Sequence, residues 1–166
     1  MPTSIQSRLA LAAIVAVAFA LGAVLPGALA GPSEPTAVRT ALAQSDKVQG
    51  APGRTMVLSK VVVEPGAQLA LHHHLGTQIS RIAAGTLTYT VRKGSAVVSE
   101  GDAEKDPRRV RTIAAGKTAQ IKPGQWLVEQ PSDIHEAANR GADPVVIYLS
   151  TLLKSGSPPA TPVTLP

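Results

Sequence analysis

The sequence predicts an all-β domain of about ten short strands arranged as a sandwich or barrel. Three observations carry that expectation. Glycine and proline number 14 each in 166 residues, and they punctuate the chain at short intervals. Only 2% of residues are aromatic, so the core must be built from small and β-branched side chains. Several segments alternate polar and apolar residues with the two-residue period of a half-buried strand.

The elements follow in order. Thr55 to Glu64 is Val-rich and stops at the turn signal Pro65-Gly66. Gln68 to His74 alternates. Gln78 to Ala84 and Gly85 to Arg92 come next, with Thr86, Thr88 and Thr90 set against Leu87, Tyr89 and Val91. Ala96 to Ser99 and Arg109 to Ile113 flank a charged loop. Lys117 to Ile121 ends at Pro123-Gly124. Gln125 to Glu129, Ile134 to Asn139 and Pro144 to Leu152 complete the set. Together they bound one domain over residues 55–153, long enough for one modest core.

The flanks differ in composition. Leu9 to Leu25 is an apolar run preceded by Arg8 and broken by Pro26-Gly27. Ala28-Leu29-Ala30 then offers a small-x-small cleavage pattern, so residues 1–30 read as a secretory signal. The alternative is a retained membrane anchor, for which seventeen Ala-rich residues are at the short end. Either way the domain is expected outside the cytoplasm, in the periplasm or beyond the cell. Residues 31–54 read as a linker with at most one short helix. Residues 154–166, with Pro158, Pro159 and Pro162, read as a flexible, extended tail.

Composition excludes several functions. There is no cysteine, which removes disulfides, thiol nucleophiles, lipidated cysteine and thiolate metal sites. Net charge is +5, or +4 once residues 1–30 are set aside with their single Arg. Arg92, Lys93, Lys105, Arg108, Arg109 and Arg111 cluster, but Glu100, Asp102, Glu104 and Asp106 are interleaved with them. With only Tyr89, Trp126 and Tyr148 as aromatics after residue 30, this is a solvated charged loop and not a nucleic-acid surface. No Ser-His-Asp pattern, phosphate-binding glycine loop or catalytic carboxylate stands out, and alternation puts Glu136 opposite His135.

The chemistry therefore rests on four histidines, three of them consecutive. In a strand His72 and His74 share one face and His73 takes the other. Two imidazoles on the inner face of a barrel are natural metal ligands, and His135 can add a third. The competing reading is surface or satisfied core histidine. Trp126 and Tyr89 read as core.

These residues resemble the cupin superfamily. Gly66, five residues, His72-x-His74, three residues, Gln78, six residues and Gly85 reproduce the spacing of its first motif, with Gln where the family has Glu. Gly124, His135 and Asn139 keep the spacing of its second, while Pro131 is one position late and Asp133 stands near the expected Gly. The resemblance spans about residues 55–153. It implies a single-domain jelly-roll (double-stranded β-helix) barrel enclosing a divalent transition metal: Fe, Mn, Zn, Ni or Cu. It makes His72, His74 and His135 ligands and puts Gln78 in the fourth position. There Gln78 either coordinates through its amide oxygen or acts from behind, on bound water or substrate. A neutral Gln would leave the full charge on the ion. Asn139 is expected to stabilise a turn. The functions implied are an exported small-molecule dioxygenase or related metalloenzyme, or a non-enzymatic binder of a small ligand. Such proteins often pair, which leaves a homodimer open.

Overall fold

The computed structural model describes residues 35–164, so the expected signal segment lies outside the described residues. Twelve strands and no helix make up the described chain. They are β1 (Ala37–Ser45), β2 (Arg54–Val63), β3 (Gln68–His73), β4 (Gly76–Ala84), β5 (Leu87–Lys93), β6 (Ser95–Glu100), β7 (Arg108–Ala114), β8 (Thr118–Ile121), β9 (Trp126–Glu129), β10 (Ile134–Ala138), β11 (Val145–Lys154) and β12 (Thr161–Pro162). Two sheets result, one of seven strands in the order β1-β2-β11-β4-β9-β6-β7 and one of five in the order β12-β3-β10-β5-β8. All pairings are antiparallel. The expected jelly roll is present, as two facing sheets and not as a single closed ring of strands.

Alternation puts apolar side chains between the sheets. Val61, Val63, Ile82, Val98, Leu127 and Ile147 enter from the larger sheet, and Leu87, Tyr89, Val91, Ile121 and Ala137 from the smaller. Burying such a set is the main favourable term in forming the sandwich. The turn glycine Gly85 has φ +70°, and a Cβ there would lie 2.7 Å from the Pro144 carbonyl oxygen. Asn139 does stabilise a turn: its amide donates to the carbonyls of Val63 and Asp143, and its Oδ1 accepts from Gly141 N–H.

Two segments depart from expectation. Residues 37–45 are not linker but a strand, paired along β2. Their side chains are mostly exposed, so neither face carries a clear hydrophobic stripe. The strand exists because the β2 edge offers backbone partners. The tail is likewise ordered against β3, with Thr161 and Pro162 opposite His73 and His72, and Val163 N–H donating to Leu71 carbonyl. Proline-rich chain needs no core of its own when a sheet edge supplies the bonds. The two strands expected to flank the charged loop are present as the hairpin of β6 and β7, whose loop ends are joined by the Arg108–Glu100 ion pair.

Candidate metal centre

His72 and His135 are direct cross-strand partners on β3 and β10. The register slips between His135 and Ala137, so three steps along β3 match two along β10. This bulge turns both Leu69 and His72 toward the interior, which simple alternation forbids. His74 follows immediately after β3 and is 2% exposed, as is His135. His72 is half-buried. β3, the residue after it and β10 thus contribute the three rings, and the bonding nitrogens of His72, His74 and His135 lie within 4.8 Å of one another. Ring centroids are 4.4 to 5.2 Å apart. His73 belongs to no such cluster.

Two of the rings are oriented through their far nitrogens. His72 Nδ1 lies 2.6 Å from the Ala70 carbonyl, and His74 Nδ1 lies 2.7 Å from the Pro159 carbonyl. A carbonyl only accepts, so each Nδ1 carries a proton and Nε2 is the nitrogen turned to the cluster, as in a ligating imidazole. His135 is stacked under Tyr89 at 5.1 Å, and its Nδ1 is buried without a partner. Burial lowers the His72 pKa and pushes that of His135 down to about 4. Both rings are therefore neutral at neutral pH, as metal binding requires. The donor set fits a divalent transition ion.

The larger sheet faces these rings with Gln78 on β4 and Glu129 at the end of β9, each 4% exposed and directly opposite the other. Gln78 Nε2 donates to Glu129 Oε2 and lies 3.3 Å from His74 Nε2. Glu129 Oε2 is 3.3 Å from His74 Nε2, and Glu129 Oε1 is 3.4 Å from His135 Nε2. Burial pushes the Glu129 pKa up, but the rings of His135 and His74 and the Gln78 amide outweigh it and hold it down to about 2. Burial and the Glu129 carboxylate push the Tyr89 pKa up, so its hydroxyl stays protonated.

The structure therefore brings His72, His74, Gln78 and His135 together and adds two residues that sequence reasoning missed. Glu129 is one. Its signal was alternation: Leu127 and Glu129 share a face of a four-residue strand, and Leu127 is core. The other is Arg39, half-buried on β1, whose Nε donates to the buried Ser59 Oγ at 3.3 Å. Burial lowers the Arg39 pKa, and the charge of Glu129 acts in the opposite direction. It was hidden because residues 37–45 read as linker. Two surface depressions, of about 100 and 220 Å³, lie elsewhere: one on the Glu136 side of β10, the other beside Met56 and Leu58.

No family model matches the chain. No curated protein matches it either. Among solved structures, a cupin 2 domain-containing protein from Halorhodospira halophila aligns over 81% of this chain and 74% of its own, with 16% identity and a TM-score of 0.51. A cupin-like protein from Thermotoga maritima aligns over 76% and 75%, with 21% identity and a TM-score of 0.49. The chain spans only 44% of the length of another match, described as crystal structures of DMSP lyases RdDddP and RnDddQII, at 14% identity and a TM-score of 0.46. Sheet order, the two motif spacings and the Halorhodospira likeness agree: this chain has the cupin fold.

Proposed function

We propose that this is an exported metal-binding protein that holds one divalent transition ion on His72, His74 and His135 and presents it to a small organic ligand. One observation carries the reading. Three imidazoles converge within 4.8 Å, and two of them are tied at Nδ1 to carbonyls so that Nε2 is free to ligate. An ion held there would supply Lewis-acid or redox chemistry at its open positions. His72 is the most exposed of the three rings. The protein's own contribution is to hold the rings fixed. The buried sides of the cluster exclude water.

The activity proposed for the loaded protein is dioxygenase-type turnover of a small substrate. A non-enzymatic binder is the second reading. It is favoured by Glu129, the carboxylate beside the rings, being already engaged by Gln78, His74 and His135. Metal analysis of protein purified from its native compartment tests the first claim. One equivalent is expected, and less than about a tenth of an equivalent overturns it. Oxygen uptake with Fe(II) and catechol-like, flavonol-like and β-diketone compounds separates the two readings. Uptake above a metal-free control supports the enzyme, and binding of a compound without uptake supports the binder.

A further inference from the structure

The family pattern puts a carboxylate at the place of Gln78, and the facing strand carries one at Glu129. Gln78 and Glu129 are Cα partners across β4 and β9, so their side chains leave the same face of the sheet side by side. Glu129 reaches two of the three rings, His74 and His135. We infer that Glu129 supplies the anionic ligand of the metal centre, and that Gln78 is its positioning residue and not itself a ligand. The inference rests on the proposed metal-binding reading.

Three features carry it. The first is distance. Two donor atoms on one tetrahedral ion with bonds near 2.0–2.1 Å are separated by about 3.4 Å. Glu129 stands at 3.3 Å from His74 Nε2 and 3.4 Å from His135 Nε2. The second is orientation. The contact of His74 Nδ1 with the Pro159 carbonyl turns the other ring nitrogen, Nε2, toward the Glu129 carboxylate, so both donor atoms face one point. The third is charge. A carboxylate this deeply buried needs a cationic partner. Its direct ion-pair contacts are the two histidine rings, and the half-buried Arg39 acts on it only from beyond contact distance.

Gln78 suits the supporting part. An amide oxygen turned toward Glu129 would face a carboxylate oxygen, so the bond between them places the amide N–H there. Ser80 Oγ lies 3.4 Å from the same amide nitrogen and 3.5 Å from Glu129 Oε2, closing the support around the carboxylate. Such outer bonds hold a ligand's orientation. A neutral Gln at 78 then no longer leaves the full charge on the ion, because Glu129 removes one unit.

The test uses the full chain loaded with Co(II), with visible absorption, competition against a chelator and infrared carboxylate bands as readouts. The unaltered protein is expected to take one equivalent, with a metal-induced shift of carboxylate bands. Glu129→Gln should abolish that shift, change the Co(II) spectrum and weaken binding about 100-fold or more. Gln78→Ala should weaken binding by about tenfold, within the range for outer-shell groups, while keeping the shift. The double exchange Gln78→Glu with Glu129→Gln should regain the shift and most of the affinity. Circular dichroism of the metal-free variants checks that each remains folded. An unchanged shift and spectrum in Glu129→Gln overturns this inference alone. No metal uptake by the unaltered protein overturns the metal-binding reading, and this inference with it.

Discussion

His74 and Pro159 are 85 residues apart in the chain, yet the imidazole Nδ1 lies 2.7 Å from the proline carbonyl. The C-terminal segment thus fixes a ring of the candidate metal centre. It is held in turn by Val163 N–H on Leu71 carbonyl and by the pairing of Thr161 with His73.

Ending the chain at Ser157 should therefore weaken metal binding by about 10- to 100-fold, the range for removing a partner that orients a ligating histidine. The sandwich should survive, because β11 pairs with β2 and β4 without the tail. Competition titration of the truncated and full chains, with circular dichroism as control, reads both effects. Equal affinities would show that Pro159 does not orient the ring.

The histidines predict a pattern of loss. His72→Ala, His74→Ala and His135→Ala should each bring metal content well below one equivalent. His73→Ala should leave it unchanged, because His73 lies outside the cluster. Elemental analysis after identical loading checks this. A retained full equivalent in His74→Ala would mean that the ligand set is misassigned.

Metal should stabilise the fold. A ligand at about 100 times its Kd that binds only the native state adds about 2.7 kcal/mol. For a domain of this size that raises Tm by roughly 10 °C. Thermal unfolding with and without the ion should show the rise, and a chelator should reverse it. An unmoved Tm at saturating metal would contradict a site shared by β3 and β10.

Gly76 opens β4 against β11, where a Cβ would fall 2.1 Å from the Leu152 carbonyl oxygen and 2.7 Å from Leu153 Cα. These are backbone atoms of a central strand and cannot swing aside. Gly76→Ala should cost about 2–3 kcal/mol, in the upper range for overpacking. Denaturant unfolding measures it. A cost below about 0.5 kcal/mol, the scatter of ordinary surface changes, would mean that β4 and β11 separate easily at this point.

Ten of the twelve strands were legible from local pattern, within a few residues at each end. Thr86 to Val91 shows why. Period-two alternation records which side chains enter the core, and glycines such as Gly85 mark where the chain reverses. The two strands that local pattern did not reveal, β1 and β12, bury too little for alternation to register. Partners on β2 and β3 create them.

The site divides in the same way. His72, His74 and His135 stand out because the chain holds only one other histidine, and their spacing matches a known pattern. The role of Gln78 could not be resolved from that spacing. Its neighbour Glu129 lies 51 residues away and meets it only through the β4–β9 register. Arg39 and Pro159 reach the centre from segments that composition assigned to linker and tail. Local sequence encodes the period of an element and the chemistry of its side chains. Which elements lie side by side is settled by packing two sheets over one core, and that packing brought a carboxylate to the rings of His74 and His135.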